Sequence, residues 1–297
     1  MTAEIRSENP VSIIPDMGIH YNIPDTVYHR CWDALNNSRL SDMNRSPAYC
    51  KWGMDHPREE TDALEFGKAV HCAILEPDRF ETAYTLDPTD EDGGYRKGWR
   101  NTKAYKEAKA ALVENGHSVV KQDTFDACRT IRDRIYNTPS AAQELLNSMT
   151  HSEVSFVADD PETGLRCKVR PDIIIDGGGL AGDVKTTRDA SRWAFERSIY
   201  SYGYHRGKAH YLDTMNAVGW SEWDQYLFLV IENTPPYEFA VYDLDPAATD
   251  KGRRENTKLK ALYRHCLELD EWPGYDTAIQ SVGLPNYAYY QEEEEDE

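Results

Sequence analysis

From His151 onward the chain follows a pattern that few folds accept: five short apolar or alternating runs, interrupted once by a gap long enough for helices. HSEVSFVA at 151–158 alternates and is β-branched, and ADDPETGL supplies a turn. LRCKVRPDIIID at 165–176 reads as a second strand, Gly177-Gly178-Gly179 turns the chain, and LAGDVKTT at 180–187 reads as a third. Residues 189–219 have room for one or two helices. QYLFLVIEN and YEFAVYDL are two further strands, and 249–270 a closing helix. The order β-β-β-α-β-β predicts an α/β fold with a central mixed β-sheet flanked by helices.

The N-terminal third reads as helical. Asn36 to Met54 starts a helix with Ser38 as a cap, and Pro47 breaks or restarts it. TDALEFGKAVHCAIL at 61–75 is a second helix, 84–102 a polar loop, and 103–115 and 123–149 two more helices. Residues 1–18 read as a flexible lead-in, 19–290 as a single domain, and the acidic end 291–297 as a disordered tail.

No apolar run is long enough to span a membrane, and the N-terminus lacks the charged and apolar regions of a signal peptide, so a cytoplasmic location is expected. Six scattered cysteines without a CxxC pair argue for free thiols, against a disulfide framework and against zinc. The net charge of −19 speaks at first against a polyanionic partner, but six carboxylates sit in Glu292–Glu297, leaving −13 for the rest. A nuclease of this composition would need a local basic groove in an acidic body.

The chemistry concentrates at Pro171-Asp172 and Asp183-Val184-Lys185. Side chains alternate along a strand, so Asp183 and Lys185 share a face, and a hairpin brings Asp172 alongside Asp183. Two carboxylates without a thiolate are hard oxygen donors suited to Mg²⁺ or Mn²⁺. Such a site can activate water against a phosphodiester, with Lys185 orienting that water or neutralising charge in the transition state. Asp-x-Lys is equally the sequence of an exposed ion pair, and Pro-Asp a common turn start. What favours the site is context: predicted strands, one hairpin, and the most apolar run of the chain beside them. His71, on the predicted helix 61–75 one turn after Gly67, would alone read as a core histidine.

FGKAVHCAILEPDRF, DPETGLRCKVRPDIII, GDVKTTRDASRWAFERSIYSYGYHRGKAHYLD and DEWPGY occur in order over roughly residues 36–290. Together they resemble the catalytic domain of the exonuclease VIII (RecE) family of prophages. The resemblance implies a PD-(D/E)xK nuclease of the RecB-like branch that degrades the 5′-ended strand of linear double-stranded DNA with Mg²⁺. The product would be a 3′ tail for a RecT-like single-strand annealing protein in phage recombination, and the enzyme a homo-oligomer, often a tetrameric ring. It further implies His71, Asp172, Asp183 and the Val184 carbonyl as metal ligands and Lys185 as the catalytic lysine. Glu153, on the strand before the Pro-Asp motif, is a candidate for the metal site or its support.

The RecB-like signature Gln-x-x-x-Tyr is kept only in Tyr211, because position 207 is glycine; Arg206, Lys208 and His210 are candidates to replace the glutamine. Some RecB-like nucleases carry an iron–sulfur cluster with three cysteines near the C-terminus. After Cys167 only Cys266 remains here, so no cluster is expected. For DNA contacts, Arg96, Lys97, Arg100, Lys103 and Lys106 interleave with Tyr95 and Trp99, a composition suited to stacking and to phosphates. Arg188, Arg192 and Arg197 form a second set. The alternatives are a RecB-like nuclease acting on single-stranded or flap DNA, and a non-catalytic DNA-binding adaptor, which the glycine at 207 favours.

Overall fold

The computed structural model describes residues 12–56, 61–89, 93–94, 97–219 and 222–284. The lead-in expected over 1–18 is anchored well before its end. Ile13 bridges to Trp32, and β1 (Gly18–His20) pairs antiparallel with residues 155–157. The early part of that lead-in and the acidic tail lie outside the described residues.

After a π-helical turn at Val27–Cys31, Asn36 rather than Ser38 caps α1 (Asn37–Arg45), accepting the Arg39 amide at 2.9 Å. Pro47 has no N–H to extend that helix. Ser46 therefore caps a second one, α2 (Pro47–Asp55), with the proline in its first turn. Thr61 caps α3 (Asp62–Leu75), whose Ala69, Val70, Ala73 and Ile74 are buried at helical spacing. α4 (Pro77–Ala83) follows. The expected loop 84–102 contains a short strand, β2 (Tyr84–Leu86), and a 3₁₀ turn at Trp99–Asn101. α5 (Lys103–Glu114) leads to β3 (Ser118–Val120), which pairs in parallel with β2. The single helix expected over 123–149 is two, α6 (Gln122–Asn137) and α7 (Ala141–Ser148). Pro139 sits in the break and Ser140 caps the second, accepting the Gln143 amide at 3.3 Å.

The strand pattern after His151 is richer than it reads. The first run divides into β4 (His151–Ser152) and β5 (Ser155–Asp159), and the second into β6 (Arg166–Val169) and β7 (Ile173–Ile175). β8 (Leu180–Thr187), α8 (Arg192–Tyr202), α9 (Tyr204–Val218), β9 (Gln225–Glu232), β10 (Phe239–Asp243) and α10 (Pro246–Leu269) complete the chain. One sheet has the order β10-β9-β8-β7-β4, with β8 and β9 parallel and the other pairs antiparallel; another has the order β1-β5-β6. The breaks have a backbone cause. Glu153 adopts φ +51°, which turns the strand out of line, and Pro171 has no N–H for the ladder. Both runs thus cross from one sheet to the other, β4 and β7 in one and β5 and β6 in the other.

The mixed sheet buries both faces. Ile173, Val184, Leu229 and Ile231 pack on α3, α6 and α7. Ile174, Ala181, Tyr226, Phe228 and Val230 pack on Phe195, Leu212 and Met215 of α8 and α9. Each fully buried large side chain contributes about 1.5–3 kcal/mol of transfer free energy, so the sheet centre is the rigid part of the molecule. α10 lies on α9 and α1, closing a third apolar cluster around Leu35, Leu40, Met43 and Tyr263.

Candidate active site

Where the two sheets part, Pro171 directs the chain so that Asp172 begins the β7–β8 hairpin. The Asp172 amide donates to the Gly182 carbonyl at 3.0 Å, which sets Asp172 beside Asp183. A Cβ at position 182 would stand 2.8 Å from the Leu227 carbonyl oxygen, so glycine there lets β8 lie tight against β9. The Val184 amide donates to Asp172 Oδ2 at 2.7 Å, and Lys185 Nζ donates to Asp183 Oδ2 at 2.7 Å. The period of two thus puts Asp183 and Lys185 on the face shared with Phe228, while Val184 turns toward α3. From α3, His71 sets Nε2 3.0 Å from the Val184 carbonyl oxygen and Nδ1 3.5 Å from Asp172 Oδ2. A helix, a hairpin and a strand therefore bring His71, Asp172, Asp183, Val184 and Lys185 together.

The electrostatics are those of an over-supplied anionic pocket. Burial raises the Asp172 pKa and Asp183 adds to it; His71, Lys185 and the Val184 amide offset only part. Burial alone would lower Lys185, yet Asp183 and Asp172 hold its ammonium above the usual lysine range. Glu153 joins this group: burial, Asp172 and Asp25 raise its carboxyl, and its amide donates to the Asp172 carbonyl at 3.3 Å. Tyr211 on α9 reaches the Arg170 carbonyl at 3.4 Å, and burial and Asp183 push its hydroxyl well up.

The glutamine replacements are corrected by the structure. Arg206 pairs with Glu255 at 3.3 Å, Lys208 with Asp243 at 2.5 Å and the Leu244 carbonyl at 3.1 Å, and His210 lies buried near Lys260. None of the three turns toward Asp172. Gly207 itself faces α1, where a Cβ would approach the Asn37 side chain to 3.3 Å. A longer side chain there would have to push the Asn37 side chain aside.

The first DNA-contact set also changes character. Trp99 is buried and donates to the Pro88 carbonyl at 2.7 Å, so it anchors the loop instead of offering a stacking face. Arg100 is tied to Asp87 at 2.6 Å, and Lys103 lies 3.5 Å from Glu107. Lys97 and Lys106 are exposed, and Arg96 and Tyr95 fall outside the described residues. Arg188 and Arg192 are exposed just after β8, the latter 2.9 Å from Glu196.

Four contributors went unnoticed in the sequence. Arg170 is buried beside the motif, bonded to Ser155, Asp25 and the Ile23 carbonyl, with its guanidinium 4.0 Å from the Tyr28 ring centroid. Tyr204 lies 5.7 Å from Lys185 Nζ, and Tyr226 is buried, with burial and the Asp183 charge raising its hydroxyl well above the usual range. Arg170 was visible in the string VRPD. The tyrosines had no signal, because they converge from separate elements.

A family model described as a PDDEXK-like domain of unknown function (DUF3799) matches residues 37–283. The chain belongs to that family. No curated protein matches it. Among solved structures, a Eubacterium rectale protein named an exonuclease is 12% identical to this PDDEXK-like domain, with a TM-score of 0.55 over 84% of this chain and 88% of that one. That likeness speaks for the fold alone. A phage related exonuclease of Haemophilus somnus 129PT is 12% identical over 80% of this chain and 98% of its own, with a TM-score of 0.30 that bears no weight. The match reaches the PD-(D/E)xK fold that the exonuclease VIII resemblance implied and stops short of that family itself. Among the described residues no helix is long and apolar enough to cross a membrane. All six cysteines are free, four of them buried.

Proposed function

We propose that this PDDEXK-like domain is a metal-dependent exodeoxyribonuclease that degrades the 5′-ended strand of linear duplex DNA and leaves a 3′ single-stranded tail. One observation carries the nuclease reading: Asp172 and Asp183 stand side by side on paired strands, Lys185 shares the Asp183 face, and His71 closes on the Val184 carbonyl at 3.0 Å. The direction of digestion rests on the sequence resemblance.

The donor set is two carboxylates, an imidazole and a carbonyl, with no thiolate, which suits Mg²⁺ or Mn²⁺. His71 Nε2 and the Val184 carbonyl oxygen lie 3.0 Å apart, so both could contribute to holding one such ion. Among the described residues no three His, Cys, Asp or Glu side chains form a cage by themselves, so the carbonyl and oxygens from water or substrate would complete the shell. When bound, such an ion supplies Lewis acidity toward the scissile phosphate. The protein's own part is positional. Asp172 is aligned by the Val184 amide, and Asp183 holds the Lys185 ammonium where it can orient a water and balance negative charge gathering on the phosphoryl oxygens. Pro171 and Glu153 end the ladders beside the two carboxylates. The proposal extends to a homo-oligomeric ring and a RecT-like annealing partner for the 3′ tail.

The test is digestion of linear duplex DNA labelled at one 5′ end, in Mg²⁺ and in EDTA, by wild type and Lys185→Ala. Metal-dependent release of the label, at least about a hundredfold slower in Lys185→Ala and absent on closed circular DNA, is expected. No release with either Mg²⁺ or Mn²⁺ would overturn the nuclease reading, and release from a 3′ label alone would overturn the direction.

A further inference from the structure

α8 wears its aromatic residues on the wrong side for packing. Its core face is satisfied by buried Phe195, which stacks on Tyr242 at 4.8 Å and on Tyr204 at 5.8 Å. Yet Trp193, Tyr200 and Tyr202 remain 65%, 70% and 66% exposed within ten residues. Trp193, Arg197 and Tyr200 follow i, i+4, i+7 spacing and share one face. Tyr202, the last residue of α8, stands about 180° round the helix from Trp193, off that face and beside Tyr204.

Two further observations identify what these side chains meet. The rings are interleaved with cations: the Arg197 guanidinium lies 4.7 Å from the Trp193 ring centroid, and Lys251 Nζ lies 5.9 Å from that of Tyr200. The C-terminal end of the helix reaches the candidate active site. Tyr202 lies 5.7 Å from Tyr204, centroid to centroid, and Tyr204 lies 5.7 Å from Lys185 Nζ. An unpaired DNA strand needs what is present, flat faces for bases and cations for the phosphates between them.

We infer that the exposed aromatics of α8 form a stacking ledge for unpaired nucleobases of the strand entering or leaving the Asp172–Asp183–Lys185 site, with Trp193 and Tyr200 on one face beside Arg197 and Tyr202 at the helix end next to Tyr204. The inference rests on the nuclease reading for its direction toward Lys185, but the binding itself can be measured without cleavage. Stacking tolerates any base, so the ledge gives grip without sequence preference.

The test is fluorescence anisotropy of a labelled oligo-dT in EDTA, with the full chain as wild type, as Arg197→Ala, and as the triple variant Trp193→Ala/Tyr200→Ala/Tyr202→Ala. Circular dichroism checks that the variants keep the fold. The triple variant is expected to bind at least about tenfold more weakly, since each lost base stack costs roughly fivefold or more. A chain of abasic sites of equal length should bind wild type as weakly as the triple variant binds oligo-dT. The ledge is overturned if wild type does not bind oligo-dT, if the triple variant binds it as wild type does, or if the abasic chain binds equally well. It is also overturned if the triple substitution splits an oligomer in sedimentation, which would make the face a contact between copies. Lys185→Ala separates the two proposals: loss of cleavage with wild-type oligo-dT binding supports both. Absence of cleavage in wild type with intact stacking would remove the nuclease and leave the ledge.

Discussion

On one side of α9, Lys260 Nζ meets Asp160 at 2.6 Å with side chains 7% and 9% exposed; on the other, Asp172 and Asp183 share one ammonium and one imidazole. Consecutive residues of the helix face the two clusters, His210 the first and Tyr211 the second. At Asp160 burial is outweighed by hydrogen bonds from Lys260 and Thr163, so its carboxyl falls below the usual range. At Asp172 burial wins and the carboxyl rises. One cluster is complete within the chain, and the other carries more negative charge than the chain compensates. A closed buried pair holds structure, whereas a pocket left short of positive charge is suited to a cation from outside.

The largest expected effect comes from opening the closed cluster. Lys260→Met strands the Asp160 carboxylate and should cost about 3–5 kcal/mol in urea denaturation. An unchanged midpoint would abolish the contrast. At the open cluster the reverse holds. Asp172→Asn should raise stability in EDTA at pH 7, because it removes a carboxylate that burial disfavours, while slowing cleavage by about a hundredfold or more. A variant that loses both would make Asp172 structural.

Acid separates the clusters by sign. Burial and Lys260 push His210 down to about 3, against about 6.5 in an unfolded chain, so the unfolded state takes up the proton first. Stability from His210 is therefore lost as pH falls from about 6.5 toward 3, and Asp160 adds to the loss below about 3.9. Asp172 acts oppositely: its raised carboxyl binds a proton in the folded state first, so acidification relieves it. In EDTA, His210→Phe should flatten the decline of the urea midpoint between pH 6.5 and 4, and Asp172→Asn should steepen it. Equal slopes in all three proteins would refute the assignment.

Smaller effects sharpen the picture. Mg²⁺ at ten times its Kd should stabilise wild type by about 1.4 kcal/mol and leave Asp183→Asn unmoved, read as a melting shift. Gly207→Ala should change stability by less than about 1 kcal/mol, since the gain in helix propensity is offset by the approach to Asn37 at 3.3 Å. A loss of several kcal/mol would mean that α1 cannot yield there at all.

Much of the fold was legible because strand alternation and proline are local signals. Asp183 and Lys185 share a face for no reason beyond the period of two, and Pro47 ends α1 because it lacks an N–H. The division of the strand runs was partly legible, since Pro171 stands in one of them, but Glu153 at φ +51° gives no warning in its residue type. The misreading of Trp99 as a stacking ring had the same origin: a tryptophan beside arginines looks identical whether the loop buries it or presents it. Arg206 and Lys208 were misjudged because their partners Glu255 and Asp243 lie 49 and 35 residues away, and His210 because it is buried near the Lys260 charge, 50 residues on.

The sequence by itself determined the α/β class, the hairpin of Asp172 and Asp183, and the companion Lys185, since each depends on neighbours a few residues apart. Only the tertiary structure decided that His71 closes on the Val184 carbonyl, that Arg170 packs over Tyr28 beside the Pro-Asp motif, and that α8 shows aromatic side chains to solvent. Those facts depend on how far α3, the N-terminal segment and α9 are carried toward the sheet. Side-chain volumes buried across the whole core set that distance, and no local pattern encodes it.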